Sequence, residues 1–295
     1  MLFRSAGSGG LSVAAGAAQM GARVVLIEEG EMGGDCLNHG CVPSKALLAA
    51  SARMPRPSYA EAMAHVRASI AAIAPHDSQE RFEGLGVRVI RERGAFVGPK
   101  TVRAGDAEIE ARRFVVATGS RPVIPNIQGL AETPHLTNET NFEQKDQPEH
   151  LIVIGAGPIG LELAQAHLRL GSEVTVIEAQ KALGREEPEL AKIALDHLRQ
   201  DGLVVHENTP VARVGGKAGA IWVETVAGRI EGSHLLIAAG RAPNVQSLGL
   251  EAAGITFDPF AGIAVRPDLK TTGNRDRKST RLNSSHQIIS YAVFC

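Results

Sequence analysis

The sequence predicts an α/β protein in which two similar βαβ units each begin a domain. A glycine-rich turn, an apolar helix and a strand that closes on glutamate occur near the start of the chain. They occur again 150 positions later, so that Gly7 and Glu28 recur as Gly157 and Glu178. Each copy is followed by short strands and then by a strand that ends in a small-residue turn. Two domains of similar build are therefore the economical interpretation.

Length and composition set the broad class of protein. The chain has 295 residues, 44% hydrophobic and 21% charged, which is enough for two domains. A net charge of −1 and 4% aromatics do not favour nucleic-acid binding, which needs a basic surface. Three cysteines are too few for a disulfide-stapled secreted scaffold, and no apolar run reaches the ~20 residues of a membrane helix. We expect a cytoplasmic protein with no nucleic-acid and no membrane partner.

The second copy, residues 151–178, carries a complete dinucleotide-binding pattern: a strand, three glycines, an apolar helix and a second strand ending on an acid. Such glycines let the backbone approach a pyrophosphate at a helix N-terminus, and the terminal carboxylate binds ribose hydroxyls. The first copy, residues 6–28, lacks the first strand, and Ser5 stands where its first glycine belongs. Flexible-loop glycines are the alternative for one such turn, and the repeat argues against it.

Periodicity predicts the elements between and after the copies. We expect one helix over 54–73, where Pro55 and Pro57 interrupt its start. We expect another over 186–200. We expect strands over 87–90, 94–97, 101–104, 108–109, 113–117 and 234–239, and a β meander over 211–230 with Trp222 in its core. Strands 113–117 and 234–239 run into turns at Gly119 and Gly240. Such turns let the backbone pass close to a ligand, and ordinary tight turns are the alternative.

A short glycine-flanked loop holds two cysteines, Cys36 and Cys41. Pro43 suits the first turn of a helix, so the Cys41 thiol is expected near a helix N-terminus. The helix dipole and Lys45, about one turn further on, would both favour the thiolate. This arrangement predicts a reversible disulfide beside a cation. Two unrelated core cysteines are the alternative for the loop taken alone.

The cysteine segment, the two glycine fingerprints and the two small-residue turns, and their order along the chain, resemble those of the flavin-dependent pyridine nucleotide–disulfide oxidoreductases. This family includes dihydrolipoyl dehydrogenase, glutathione reductase and mercuric reductase. The resemblance runs from about residue 6 to residue 275, and residues 33–38 and 76–87 are most similar to the mercuric-reductase-like branch. It implies two Rossmann-like dinucleotide-binding domains of the three-layer ββα, glutathione-reductase type, with the NAD domain inserted in the FAD domain. The implied boundaries are 6–144 for the FAD-binding domain, 145–243 for the NAD(P)-binding domain and 244–275 for the return to the FAD and central domain.

The resemblance also implies roles for single residues. Cys41 would be the thiol nearest the flavin, and Cys36 the interchange thiol that meets the substrate. Lys45 would lie by flavin N5 and pair with Glu162, which would otherwise be read as a surface helix residue. The implied FAD contacts are Gly7, Gly9, Gly10, Glu28, Gly34, Asp35, Lys45, Ala95, Thr118 and Gly119. The implied nicotinamide-nucleotide contacts are Gly155, Gly157, Pro158, Ile159, Gly160, Glu178 and Gly240, and no metal site is expected.

Cofactor choice can be argued from the acid of the second copy. Glu178 would accept a hydrogen bond from a ribose 2′-OH and would repel a 2′-phosphate, so we expect NAD(H) to be favoured over NADP(H). Lys181 weakens this expectation because it could partly neutralise a phosphate. Pro158 stands where some family members carry a bulky residue, which suggests an ungated nicotinamide pocket.

The implied activity passes hydride from NADH through the flavin to the Cys36–Cys41 disulfide and on to a disulfide, a dithiol or Hg(II). One alternative is a redox-inactive nucleotide-binding fragment. Another is a flavin-dependent oxidase or quinone reductase without dithiol chemistry, which the two cysteines beside Lys45 argue against. A homodimer is expected for the intact parent.

Both ends of the chain resemble translated sequencing-adapter sequence. We expect residues 1–5 and 276–295 to be artefactual and the chain to be an inactive fragment of an enzyme. It would lack the C-terminal domain that carries a His–Glu pair or a vicinal cysteine pair. The absent first strand would leave an unpaired edge in the first sheet.

Overall fold

The structure, a computed structural model, describes residues 2–4, 6–272 and 276–278. The helices in these residues are α1 (Ser8–Gln19), α2 (Gly34–Asn38), α3 (Cys41–Ser51), α4 (Tyr59–Ile73), α5 (Gln79–Gly84), α6 (Pro158–Leu170) and α7 (Pro188–Gln200). The strands are β1 (Leu2–Arg4), β2 (Val24–Ile27), β3 (Val87–Ile90), β4 (Gly94–Gly98), β5 (Thr101–Ala104), β6 (Ala107–Glu110), β7 (Phe114–Val116), β8 (Ser120–Pro122), β9 (His150–Ile154), β10 (Glu173–Ile177), β11 (Val204–His206), β12 (Val211–Lys217), β13 (Ala220–Thr225), β14 (Gly228–Gly232), β15 (His234–Ile237), β16 (Arg241–Pro243), β17 (Phe257–Asp258), β18 (Gly262–Ile263) and β19 (Asp276–Lys278).

The chain forms two compact units. The first contains residues 1–41, 70–121 and 242–295, and the second contains residues 42–69 and 122–241. The predicted boundaries lay later, after residues 144 and 243, and did not separate residues 42–69 from the first domain. Those residues belong to the second unit because Lys45 bonds Glu162 and the Tyr59 ring packs on His167, both contacts lying within that unit.

The first unit is built on a parallel sheet in the order β19–β7–β1–β2–β3. The expectation that the first strand is missing is wrong, because residues 2–4 form β1 between β2 and β7, with Leu2 opposite both Val25 and Phe114. An extended backbone there completes the hydrogen-bond ladders of both neighbours, which would otherwise carry unpaired edges. Of the residues expected to be artefactual, 276–278 form β19, while 1, 5 and 279–295 lie outside the described residues.

The first unit also contains the antiparallel sheet β4–β5–β6 and the pair β17–β18. Helix α1 buries a face that includes Leu11 and the small residues Gly10, Ala14 and Ala17, which let the helix lie close to the sheet. A second core lies around the rings of Phe96 and Phe114, whose centroids are 5.1 Å apart in an edge-to-face arrangement.

The second unit repeats this plan with the parallel sheet β11–β10–β9–β15 and the antiparallel meander β12–β13–β14. The meander was predicted, but the placement of Trp222 in its core is wrong. Ile221 and Val223 are buried, and alternation along a strand turns Trp222 to the opposite face. There its partly exposed ring lies between the guanidinium groups of Arg213 and Arg229, at 5.2 and 4.5 Å from the ring centroid.

Candidate functional site

In the first unit, the turn between β1 and α1 places Gly7 at the helix N-cap, with Gly9 and Gly10 in the first helical turn. Glu28 follows β2, and its carboxylate accepts hydrogen bonds from the backbone N–H of Ala6 and, at 2.7 Å, from that of Gly30. The acid is thereby fixed at the carboxyl edge of the parallel sheet, beside the helix N-terminus. This is the position that a dinucleotide-binding site requires.

The second unit has the same arrangement, with equivalent hydrogen bonds. Gly157 is the N-cap of α6, and Glu178 follows β10. The Glu178 carboxylate accepts from the backbone N–H of Ala156 and from that of Gln180, both at 2.9 Å. Each of these donors stands 150 positions after its counterpart in the first unit. The predicted repeat is therefore confirmed in geometry.

The three glycines of the second turn serve different purposes. A Cβ on Gly155, whose φ is +111°, would lie 2.4 Å from the carbonyl oxygen of Ala238, and one on Gly160 would lie 2.1 Å from that of Gly155. These two glycines are needed for internal packing. A Cβ on Gly157 would meet nothing within 4 Å. The open space over Gly157, at a helix N-terminus, fits the approach of a pyrophosphate from outside.

Pro158 and Ile159 open helix α6 directly after that glycine. Proline is compatible with the first helical position because its missing N–H would have no intrahelical partner there. Gly240 follows β15 with a φ of +131°, and a Cβ on it would meet nothing within 4 Å. All the predicted nicotinamide-nucleotide residues thus belong to the second unit.

The segment that carries Cys36 is helical, and its prediction as a loop is wrong. Helix α2 begins after Gly33, whose φ is +85°. A Cβ on Gly33 would lie 2.3 Å from the Leu37 side chain, so the backbone angle and the space both favour glycine there. Gly34 has a φ of +58°, and a Cβ on it would lie 2.6 Å from the Cα of Gly7. The two glycines therefore let the cysteine segment pack backbone to backbone on the first fingerprint turn, where Gly7 and Gly33 form a β-bridge.

Cys36 lies in the middle of α2, next to Asp35, and Cys41 begins α3. Both side chains are partly exposed, and the structure has them as thiols rather than as a disulfide. Pro43 falls in the first turn of α3, as predicted. The disulfide itself stays a prediction. The helix start at Cys41 is nevertheless an environment that favours a thiolate.

Within the second unit, α3 and α6 are joined by an ion pair. The Lys45 Nζ lies 2.9 Å from Oε1 and 3.2 Å from Oε2 of Glu162. The Glu162 side chain is 8% exposed and that of Lys45 is 48% exposed. Glu162 is therefore not the surface residue that its helical position alone suggests. A largely buried carboxylate needs such a partner to offset its desolvation.

The turn after β7 is clamped by a residue that the sequence analysis did not assign to the site. Asn244 donates from Nδ2 to the Thr118 carbonyl at 3.0 Å and from its backbone N–H to that of Gly119 at 3.0 Å. It also accepts at its own carbonyl from Thr118 Oγ1 at 2.6 Å. The signal in the sequence was its place at the end of the second small-residue turn. Gly119 itself has a φ of +67° and open space in front of it.

A cleft of about 380 Å³ in the first unit brings several of these residues together. Its lining includes Glu28, Gly30, Thr118, Arg121 and Asn244. Ala95 lies on β4 and does not line this cleft, although Glu92 and Arg93, three and two positions earlier in the sequence, do. The described His, Cys, Asp and Glu side chains form no group of three that could hold a metal ion. The described helices include none long and apolar enough to cross a bilayer.

Comparisons with known proteins agree with this geometry. The family model for "Pyridine nucleotide-disulphide oxidoreductase" matches residues 6–276. The mercuric reductase of Shigella flexneri is 33% identical over 294 residues, covering 90% of this chain and 52% of that protein. That of Streptomyces lividans is 34% identical over 295 residues, covering 91% and 62%. The Cu(II) complex of the HOCl-induced flavoprotein disulfide reductase RclA from Escherichia coli superimposes with a TM-score of 0.86 at 28% identity, covering 94% of this chain and 64% of that one. The chain spans between about half and two thirds of these proteins.

Proposed function

Because this chain belongs to the pyridine nucleotide–disulphide oxidoreductase family, we propose that it carries the FAD-binding and NAD(H)-binding units of a flavoprotein oxidoreductase. Cys36 and Cys41 are its redox pair. Two electrons and two protons convert their disulfide to two thiols, and the reverse reaction returns the electrons to an acceptor. Lys45 and Glu162 complete the proposed catalytic set.

The packing of the cysteine segment on the first fingerprint turn is the observation that supports this proposal most strongly. Gly34 lies against the Cα of Gly7 so closely that no side chain fits between them. A domain that only bound a nucleotide would gain nothing from two cysteines held at that turn. The contact belongs to a single unit and depends on backbone atoms alone, so the position of the cysteine segment is tied to the binding turn.

The residues of the first unit fit FAD. Gly7 is the N-cap of α1, Glu28 is held at the sheet edge, and Gly119 has open space before it. When bound, FAD supplies a flavin ring that accepts hydride from a reduced nicotinamide and passes two electrons to a disulfide. The first-unit residues that would hold it are Gly7, Gly9, Gly10, Glu28, Gly34, Asp35, Ala95, Thr118 and Gly119.

Lys45 and Glu162 supply a positioned positive charge. Lys45 stands one helical turn after Cys41 in α3, and both carboxylate oxygens of Glu162 lie within hydrogen-bond distance of its ammonium group. The lysine is therefore restricted to one place despite its four-carbon stem. A fixed cation one turn from a thiol favours the thiolate form of that thiol.

The second unit supports a preference for NADH. Glu178 is held by two backbone N–H groups, and its remaining lone pairs can accept from a ribose hydroxyl. The same negative charge repels a 2′-phosphate. Gly155, Gly157, Pro158, Ile159, Gly160 and Gly240 complete the proposed binding turns.

The substrate class follows from the two cysteines and from the relatives. Those relatives are named as mercuric reductases and as a flavoprotein disulfide reductase. We infer a small or protein-bound disulfide, a dithiol or Hg(II) as the substrate, and a homodimer for the intact protein. Thiolate chemistry is common to all three substrates, because each binds or exchanges at sulfur.

Anaerobic reduction of the FAD-loaded chain by NADH tests the proposal. We expect a long-wavelength absorbance band from a thiolate beside the oxidised flavin after two-electron reduction. Cys36→Ser should keep the band, and Cys41→Ser should abolish it. A flavin-loaded protein that shows no band and gains no thiols on reduction would instead support the nucleotide-binding, redox-inactive alternative.

A further inference from the structure

Two glutamates follow directly after two neighbouring strands of the second unit's parallel sheet. Strands β10 and β11 are parallel neighbours, and Ile177 of β10 stands opposite His206 of β11. The next residue in each strand direction is a glutamate, Glu178 and Glu207 respectively. The carboxyl ends of parallel strands share one sheet edge, so both acids lie at the edge where the ribose is proposed to bind.

Both acids hold the same loop, residues 178–183. Glu178 accepts from the backbone N–H of Gln180, and Glu207 accepts from that of Ala182, each at 2.9 Å. Asn208 adds a third tie, because its backbone N–H donates to the Gln180 carbonyl at 2.8 Å. Glu207 thus fixes the half of the loop that carries Lys181.

Glu207 also interacts electrostatically with two cations. Its second carboxylate oxygen lies 2.7 Å from Nη2 of Arg199, in the last turn of α7, and its charge interacts with that of Lys181. The backbone hydrogen bond from Ala182, with Arg199 and Lys181, lowers the pKa of the Glu207 carboxyl. Glu207 is therefore an anion at neutral pH, and its single negative charge is taken up chiefly by the hydrogen-bonded Arg199.

We propose that Glu207 is a further determinant of cofactor choice, because it engages Arg199 so that this cation does not serve a 2′-phosphate. This inference rests on the NADH preference proposed above. Glu178 repels the phosphate directly. Glu207 removes the compensation that a phosphate carrying nearly two negative charges would need. The negative charge of Glu207 also opposes the attraction of Lys181 for a phosphate.

The test is the ratio of the dissociation constants for NADP⁺ and NAD⁺, measured by calorimetry on the full chain with the first unit saturated with FAD. Glu207→Gln keeps an acceptor for the Ala182 N–H but removes the charge. We expect it to lower the ratio about fivefold, through tighter NADP⁺ binding, as for the loss of one partly screened charge. Adding Arg199→Gln to Glu207→Gln should return the ratio to its original value, because the double variant removes one negative and one positive charge.

Two further variants keep the result interpretable. Arg199→Gln alone should raise the ratio, because it leaves Glu207 less compensated. Glu224→Gln removes a glutamate that is paired with Arg213 at 3.4 Å on the meander, and it should leave the ratio unchanged. An unchanged ratio in Glu207→Gln with normal NAD⁺ binding would overturn the inference alone. Absence of NAD⁺ binding in every variant and in the unaltered chain would overturn the proposed function, and the inference with it.

Discussion

Lys45 and Glu162 stand 117 positions apart in the chain and meet at 2.9 Å within the second unit. The carboxylate is almost fully buried, while the ammonium group is half exposed. The pair therefore does two things at once. It attaches α3 to the helix that follows the second fingerprint turn, and it holds a positive charge one turn beyond Cys41.

Removing the lysine should destabilise the second unit. Lys45→Met removes the ammonium partner of the largely buried Glu162 carboxylate. We expect a loss of about 2 kcal/mol in the free energy of unfolding, less than for a fully buried pair because Lys45 is half exposed. Urea unfolding measures it. Lys192→Met, which breaks the exposed pair with Asp196 on α7, should cost much less, and equal losses would contradict this account of the buried pair.

A side chain at Gly34 should separate the cysteine segment from the first fingerprint turn. Gly34→Ala adds a Cβ that would lie 2.6 Å from the Cα of Gly7. We expect weaker FAD binding by about tenfold or more, together with a loss of stability beyond the ~1 kcal/mol cost of a positive φ. Gly86→Ala is the matched control, since its φ is +82° and its Cβ would meet nothing within 4 Å. FAD titration by flavin fluorescence distinguishes the two variants, and equal affinities would show that the contact is dispensable.

Unclamping the turn after β7 should weaken FAD binding. Asn244→Ala removes the side-chain bond to the Thr118 carbonyl, and Arg121 Nη1 loses its contact with Asn244 Oδ1 at 3.2 Å. We expect a loss in FAD affinity of about tenfold, corresponding to one or two hydrogen bonds. Thr118→Val, which removes only the donation from Oγ1, should have a smaller effect. The reverse order of the two variants would show that Asn244 does not organise the turn.

Stability should fall in mild acid because of His167. This residue is fully buried in α6, its Nε2 lies 3.1 Å from Asn141 Oδ1, and burial lowers its pKa to about 4. The unfolded chain takes up the proton near pH 6.5 and the folded chain does not. The free energy of unfolding therefore decreases as pH falls through this window, by about 3 kcal/mol once pH 4 is reached.

Urea unfolding of His167→Gln between pH 7 and pH 4 checks this expectation. The variant should lose most of the acid-dependent decrease that the unaltered chain shows, although it is less stable at pH 7. His197→Gln, on the exposed side of α7, is the control and should keep the decrease. A His167→Gln profile parallel to that of the unaltered chain would assign the acid sensitivity to other groups.

The sequence was sufficient for features that local chemistry determines. The fingerprint turns were predictable because glycines at fixed spacing admit few backbone paths, and the bonds made by Glu28 and Glu178 recur as the repeat required. The meander strands and the Pro43 helix start were predictable for the same reason. Strand periodicity and the fixed φ of proline act within a few residues.

Features decided by distant contacts were not predictable in this way. The five-residue helix around Cys36 forms where Gly34 packs on Gly7, and so short a helix has no periodicity to detect. Residues 42–69 join the second unit through side chains more than a hundred positions away in sequence. Asn244 acts on a turn 126 positions earlier, and its place after the Gly240 turn does not by itself indicate which distant turn it bonds.

The central claim is that Cys36 and Cys41 are a redox pair served by the bound nucleotides. Differential alkylation followed by mass spectrometry, on the FAD-loaded chain before and after one equivalent of NADH under anaerobic conditions, tests it most directly. The account predicts that both cysteines resist alkylation before NADH is added and react after it. If the extent of alkylation of each cysteine were the same before NADH as after it, that result would contradict the account.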